Sequence, residues 1–182
     1  MVEPEKMERS VTCAFTGHRP ESLPWRENES DPGCVALKKR LGQAVERAYD
    51  KGYRHFICGM AKGADAYFCE AVIKLRAACG DVTLEAAVPF PGQSDRWSRA
   101  DRERYQWLLS QCDLETLIQQ AHSPGCMHRR NRYMVDHAGL VIAVFNGQPR
   151  GSGTLATLNY AMLQGLETDI LYLDRVEQES VV

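Results

Sequence analysis

The sequence predicts one α/β domain of the Rossmann-like, doubly wound class, in which helices cover both faces of a mostly parallel sheet of about six strands. Short apolar runs of strand length alternate with longer segments in which apolar residues recur every three or four positions. One run, Gly139 to Phe145 (GLVIAVF), is apolar almost throughout, as expected for a strand buried on both faces. The length of 182 residues and the hydrophobic content of 44% suit a single domain with a real core.

The predicted elements alternate along the chain. Residues 1–10 are predicted to be a flexible leader, 11–174 the Rossmann-like domain and 175–182 a polar tail. The polar segment 21–33 is predicted to be a long loop. The predicted strands are 11–16, 55–58, 82–88, 114–118, 139–145 and 169–173; the predicted helices cover 37–49, 64–79 and 95–112, and two more begin at 127 and 154.

Composition excludes several classes of function. The net charge of −2 gives no general electrostatic case for nucleic acid or an anionic membrane, so neither partner is expected. No apolar run approaches the roughly 18 residues that a membrane span requires, and the charged N-terminus does not resemble a signal peptide. The seven cysteines lack CxxC spacing, which predicts a reducing cytoplasm without disulfides or structural zinc. No metal site and no cofactor are predicted.

Four loops follow predicted strands and are expected to meet at one edge of the sheet. They are Gly17 to Pro20, Gly59 to Asp65, Pro89 to Gln93 and Gly147 to Thr154. The carboxyl ends of parallel strands share an edge, and ligands bind there near the point where the strand order reverses. The sequence therefore predicts a single site built from these loops.

The segment Asn146 to Thr154 (NGQPRGSGT) is predicted to be an anion cradle. It lies between a buried strand and a helix, so its free N–H groups and the positive end of the helix dipole coincide. Thr154 is expected to cap that helix. Alternatively, the glycines only form the turn and let the helix pack closely. The arginine-rich helix from Met127 supplies a second candidate anion donor and favours the first interpretation.

At these motifs the chain resembles the YpsA-like (DUF1273) family of bacterial proteins in the SLOG superfamily, which also includes DprA and the LOG phosphoribohydrolases. The resemblance spans residues 11–173 and implies a Rossmann-like fold that holds a nucleotide or nucleotide-derived ligand. It also implies roles in nucleotide sensing or stress signalling and the formation of homo-oligomers. The motifs are TGHRP (Thr16 to Pro20), the turn from Gly59 to Asp65, Trp97 with Tyr105, RNRYMVD (Arg130 to Asp136) and GSGT (Gly151 to Thr154).

The LOG enzymes carry MHERK followed by PGGxGTxxE, and their Arg and Glu serve the cleavage of a base–ribose bond. Here the first motif reads MHRRN with Arg130 retained, but the Glu position is Thr157. A threonine cannot ionise to stabilise an oxocarbenium-like centre near neutral pH. Two hypotheses therefore stay open. One is a sensor that binds a nucleotide derivative such as ADP-ribose, and the other is an N-glycosidic hydrolase in which Asp65, Asp136 or Glu70 replaces the missing Glu.

Several candidate residues have alternative roles. Arg130 is expected in the first turn of its helix, where it binds phosphate or faces solvent. Arg19 binds an anion or stabilises the loop, and His18 is an acid–base group, a stacking group or structural. Asp65 caps a helix or contacts a ribose hydroxyl, and Trp97 stacks on a base or packs. The predicted ligand-binding residues are Gly17, His18, Arg19, Gly59, Gly63, Asp65, Arg130, Asn131, Gly151, Ser152, Gly153 and Thr154.

Overall fold

The structure is a computed structural model and describes residues 8–148 and 151–173. Strands and helices alternate along the chain, as the apolar periodicity predicts. The strands are β1 (Thr12–Thr16), β2 (His55–Cys58), β3 (Thr83–Val88), β4 (Leu114–Leu117), β5 (Leu140–Phe145) and β6 (Glu167–Tyr172); the helices are α1 (Pro32–Asp50), α2 (Ala64–Cys79), α3 (Arg99–Gln111), α4 (Cys126–Asp136) and α5 (Gly153–Leu163).

All six strands form one sheet in the order β4-β3-β2-β1-β5-β6, and every neighbouring pair is parallel. The predicted fold class is therefore confirmed. The chain builds the sheet outward from β1 in one direction as far as β4, then returns to the other side of β1 for β5 and β6. The strand order thus reverses between β1 and β5, which is where an open α/β sheet leaves a crevice at the carboxyl ends of its strands.

Side chains of β1 alternate between two hydrophobic cores, one on each face of the sheet. Cys13 and Phe15 belong to the larger core, which includes residues of α1, α2 and α3. Phe15 stacks on Phe68 of α2 with 4.5 Å between ring centroids. Ala14 belongs to the second core with Met134 of α4 and Ala161 of α5. Helices therefore cover both faces, as predicted.

Two helices begin where a serine caps them rather than where the apolar pattern begins. Ser98 accepts a hydrogen bond from the N–H of Asp101 at 3.1 Å, so α3 begins at Arg99 and not at Asp95. Ser152 accepts one from the N–H of Leu155 at 3.1 Å. The prediction that Thr154 caps α5 is therefore wrong, because Ser152 occupies the cap position and Thr154 is buried inside the first turn.

The predicted loop 21–33 contains more regular structure than expected, since Pro20–Ser22 form a 3-10 turn and Asp31 caps α1. Part of the predicted leader also belongs to the domain. Arg9 lies in a 3-10 turn, and its Nε donates a hydrogen bond to the carbonyl of Ala138 at 3.2 Å. Residues 1–7, residues 149–150 of the predicted cradle and the predicted tail 175–182 lie outside the described residues.

The seven cysteines are free, and five of them are buried. Across residues 8–148 and 151–173, none of the helices combines the length and the apolar character that a membrane crossing needs.

Candidate functional site

A cavity of about 370 Å³ opens between the carboxyl ends of β1 and β5, and we name it the switch-point cavity. The loop after β1, the start of α2, one face of α4 and the start of α5 all border it. The predicted ligand-binding residues gather here with the exception of Gly59 and Gly63. Those that line it are Gly17, His18, Arg19, Asp65, Arg130, Asn131, Gly151, Ser152, Gly153 and Thr154.

The N-terminus of α5 presents unpaired backbone donors to the switch-point cavity. Ser152 satisfies the N–H of Leu155 through its side chain and that of Ala156 through its carbonyl. The N–H groups of Gly153 and Thr154 have no partner among the described residues. They add to the positive end of the helix dipole, which is the arrangement that binds anions at helix N-termini.

Gly151 and Gly153, at the start of α5, differ in whether the structure explains the need for a glycine. Gly151 has φ +78°, a left-handed conformation that favours glycine. A Cβ at Gly153 would have no described atom within 4 Å. Close packing of α5 against a described residue therefore does not explain Gly153.

Arg19 lies at the mouth of the switch-point cavity in the loop that follows β1. Its side chain is exposed, and it makes no hydrogen bond or salt bridge to any described residue. The guanidinium is thus free to form a bidentate contact with a phosphate or carboxylate.

Arg130 is placed differently from the prediction. Because α4 begins at Cys126, Arg130 lies in the second helical turn, and it is buried at 5% exposure. Its Nη1 donates to the carbonyl of Gly59, and its Nε donates to Oδ1 of Asn131 at 2.9 Å. Burial lowers the pKa of Arg130, and the nearby carboxylate of Asp65 opposes that shift. Arg130 therefore lines the buried side of the cavity, and its Nη1 and Nε groups are already hydrogen-bonded within the protein.

Gly59 and Gly63 support the site without bordering it. A Cβ at Gly59 would clash with the guanidinium of Arg130. Gly63 has φ +83°, and a Cβ there would lie 2.8 Å from the carbonyl oxygen of His18. Both glycines therefore make room for neighbouring groups of the site, which differs from the direct ligand contact that the sequence predicts.

His18 links the loops that follow β1 and β5. Its Nε2 accepts a hydrogen bond from the N–H of Asn146 at 3.0 Å, and its ring stacks on Phe145. Burial lowers the pKa of His18, which favours the neutral ring that this acceptor role requires. Of its three alternatives, the geometry supports the structural one.

Asp65 closes the turn before α2 and faces the switch-point cavity. It is not the cap of α2, because Gly63 holds that position. Its Oδ2 accepts from the N–H of Ala61 at 3.0 Å, while Oδ1 has no hydrogen bond to a described residue. Burial raises the pKa of Asp65, and the charge of Arg130 together with the Ala61 amide opposes that rise. One carboxylate oxygen is therefore left for a ligand hydroxyl.

The position of the missing LOG glutamate points away from the switch-point cavity. Thr157 is 4% exposed, and its hydroxyl donates to the carbonyl of Gly153 at 2.8 Å. Asp136 accepts from the hydroxyl of Tyr160, and Glu70 binds Arg104. Neither borders the cavity, so among the three proposed replacements only Asp65 does.

A buried polar network that the sequence analysis missed holds α4 against the sheet. Glu85 of β3 accepts from Tyr133 of α4 and from Thr116, each at 2.7 Å, and lies 2.6 Å from Nε2 of His55. Burial alone would raise the pKa of Glu85, but these hydrogen bonds lower it below its ordinary value. A single Glu in the apolar strand TLEAAV was the available signal. Through Tyr133 the network fixes the helix that carries Arg130.

The described part of the chain contains no group of three or more His, Cys, Asp or Glu side chains arranged to hold a metal ion. The groups that the described residues offer to a ligand in the switch-point cavity are the backbone amides of Gly153 and Thr154, the guanidinium of Arg19 and the buried carboxylate of Asp65.

Comparisons with known proteins agree with this architecture. A family model described as the YspA SLOG family (YpsA) matches residues 13–174. UPF0398 proteins of Bacillus cereus (strain G9842) and Bacillus thuringiensis (strain Al Hakam) are each 26% identical over 141 residues, which is 76% of this chain and 76% of theirs.

Among solved structures, DNA processing protein A of Helicobacter pylori, described for its single-stranded DNA binding, superposes with a TM-score of 0.56 at 13% identity. The match covers 89% of this chain and 65% of that one, so the chain spans less than two thirds of its length. At this identity the likeness shows the fold alone. The match of the family model to most of the chain, on the six-stranded parallel sheet described above, shows that the chain belongs to the YspA SLOG family.

Proposed function

We propose that the protein binds a nucleotide or a nucleotide derivative of the ADP-ribose type in the switch-point cavity, with a phosphate at the N-terminus of α5. One observation carries the proposal. The N–H groups of Gly153 and Thr154 and the guanidinium of Arg19, which are not hydrogen-bonded to any described residue, border the same cavity. Amides at a helix N-terminus and an arginine fork are the groups that recognise phosphate in proteins.

The remaining polar groups suit the sugar of such a ligand. Asp65 faces the cavity with Oδ1 unpaired among described residues, and Asn131 lies on the α4 side. A carboxylate oxygen accepts hydrogen bonds from ribose hydroxyls, whereas it would repel phosphate. The cavity thus favours a molecule with an anionic group toward α5 and hydroxyl groups toward α2.

Replacing Arg19 with alanine is expected to weaken phosphate-dependent binding by roughly 10- to 100-fold, the scale of about 1.5–3 kcal/mol for a hydrogen bond to a charged group. Isothermal titration calorimetry with inorganic phosphate, ribose 5-phosphate, AMP, ADP and ADP-ribose measures the change. We expect the unaltered protein to bind at least one nucleotide of this panel more tightly than about 1 mM.

Arg99→Ala is the charge-matched control for Arg19→Ala. The Arg99 side chain is 87% exposed in a surface pair with Glu103 and does not border the switch-point cavity. Its removal should leave every affinity unchanged. Binding that is absent across the whole panel, or that is equal in Arg19→Ala and Arg99→Ala, would remove the basis for the proposed phosphate site.

N-glycosidic hydrolysis is a second candidate, and it rests on Asp65 alone. This carboxylate borders the switch-point cavity, where a positioned carboxyl group can act as a general acid or base, and burial raises its pKa. If the protein binds its ligand without hydrolysing it, chromatography should show no free base after incubation with AMP or ADP-ribose. Release of base by the unaltered protein and its loss in Asp65→Asn would establish the hydrolase instead.

The sequence did not predict nucleic acid as a partner. The fold is similar to that of DNA processing protein A, which is described for its single-stranded DNA binding, so binding of DNA by this protein is tested as well. A labelled single-stranded oligonucleotide titrated by fluorescence anisotropy tests it beside the nucleotide panel. Self-association, which the family resemblance implies, stays a prediction for light scattering, and the cytoplasmic location also stays a prediction.

A further inference from the structure

A second cavity of about 260 Å³ lies beside the first one, between the start of α2, helix α3 and the loop before α1, and we name it the Trp97 cavity. Its character differs from that of the switch-point cavity. The walls are largely apolar and aromatic, with charged side chains of both signs at the rim. The aromatic and aliphatic walls are formed by Met60, Tyr67, Trp97, Tyr105 and Leu108.

Trp97 offers this cavity a fixed aromatic surface. Its ring meets that of Tyr105 edge to face, at 5.3 Å between centroids and an interplanar angle of 79°. Tyr105 is buried, whereas Trp97 is only partly buried against the core. The Trp97 indole N–H has no hydrogen-bond partner among the described residues. Such a surface favours a flat ring with polar edges, as nucleobases have.

Of the three basic side chains at the rim of the Trp97 cavity, Lys62 and Arg104 are paired with carboxylates, and Arg26 is the third. Lys62 lies 3.5 Å from Asp101, and Arg104 binds Glu29 and Glu70. Paired charges give little attraction for a second phosphate. The cavity therefore suits the uncharged end of a ligand rather than its anionic end.

A thin wall separates the two cavities, and Ala61 borders both. Next to it, Met60 has φ +60°, an uncommon left-handed conformation for a residue other than glycine. Gln93 holds the turn in this shape, because its Nε2 donates to the carbonyl of Met60 at 2.9 Å and to that of Gly59 at 3.2 Å. Of the residues in this turn, only Ala61, with its small methyl side chain, borders both cavities, and a ligand that spans them passes over it.

We infer that the Trp97 cavity is the base subsite of the ligand whose phosphate lies in the switch-point cavity. This inference rests on the function proposed above. It selects an elongated ligand class, in which a nucleobase and its ribose are joined through a diphosphate to a second sugar, as in ADP-ribose. The base stacks on Trp97, the ribose attached to it passes Ala61 and reaches Asp65, and the diphosphate lies against the N-terminus of α5 and Arg19.

Two substitutions test the inference when ADP-ribose and ribose 5-phosphate, which has no base, are titrated in parallel. Trp97→Leu removes the stacking surface, and Ala61→Leu fills the passage between the cavities. Each should weaken ADP-ribose binding by roughly 10-fold, within the range measured for base stacking on aromatic side chains, and Trp97→Leu should leave ribose 5-phosphate unaffected. Trp107→Leu is the control, because Trp107 is 49% exposed on α3 and borders neither cavity.

Tryptophan fluorescence gives an independent measurement that does not depend on affinity. ADP-ribose should quench the emission of the unaltered protein and of Trp107→Phe, whereas Trp97→Phe should bind ADP-ribose with its quenching lost. Phenylalanine keeps an aromatic surface for the base, so Trp97→Phe removes the tryptophan emission beside the ligand without removing the stacking contact.

The outcomes separate this inference from the proposed function. If Trp97→Leu and Ala61→Leu bind ADP-ribose like the unaltered protein, or if Trp97→Leu weakens both ligands equally, the base does not lie in the Trp97 cavity, although the phosphate site stands. If the unaltered protein binds neither ligand, the proposed function fails and the base subsite fails with it.

Discussion

Replacing Glu85 with alanine is expected to lower the free energy of unfolding by about 3–5 kcal/mol, because each buried group left without its hydrogen-bond partner costs about 1–3 kcal/mol. Glu85 and His55 are 3% and 2% exposed and lie 2.6 Å apart. The substitution leaves three hydrogen-bonding groups, those of His55, Thr116 and Tyr133, without their shared acceptor. Urea denaturation at pH 7 measures the loss.

The same substitution should change the pH dependence of stability. The folded protein holds the pKa of Glu85 below its ordinary value, so the carboxylate contributes stability above the unfolded pKa of about 4.3. This contribution is lost as the pH falls through the lower, folded pKa. The difference between the unaltered protein and Glu85→Ala should therefore shrink in acid.

Glu115→Ala is the matched control, since Glu115 is exposed on the neighbouring strand β4. It should change stability by less than about 0.5 kcal/mol. A loss below about 1 kcal/mol in Glu85→Ala would contradict the role assigned to the buried network.

Replacing Arg130 with methionine is expected to cost roughly 2–3 kcal/mol of stability, a fall in Tm of roughly 4–10 °C. Methionine keeps much of the side-chain volume but removes the charged donor to the carbonyl of Gly59. It also removes the positive charge that opposes the raised pKa of the buried Asp65. Differential scanning calorimetry measures the change.

Arg132→Met on the same helix is the control for Arg130→Met. Arg132 is exposed, and its guanidinium lies 4.9 Å from the ring centroid of Tyr160. An exposed contact of this kind contributes only about 0.5–1 kcal/mol. Equal losses of stability in Arg130→Met and Arg132→Met would show that the buried contacts of Arg130 do not stabilise the site.

The fold could be predicted because its signals are local. A strand that is covered on both faces, such as β5, needs apolar residues at every position, and the sequence shows this directly. The gathering of most candidate residues at one cavity followed from topology, since the loops after parallel strands share an edge.

The parts that could not be predicted depend on contacts between distant residues. Nothing near Gly59 in the chain indicates that the guanidinium of Arg130 lies against its backbone. The capping choice between Ser152 and Thr154 depended on where the turn ended, and either residue type can cap. The partners of Glu85 come from three other elements, so a lone Glu in a strand could not identify them.

The location of a bound ligand tests the central claim most directly. A crystal structure with ADP-ribose should show a phosphate within hydrogen-bonding distance of the Gly153 and Thr154 amides and in contact with the Arg19 guanidinium. Density for the ligand on another surface, or an empty switch-point cavity at a ligand concentration that saturates the protein in calorimetry, would contradict it.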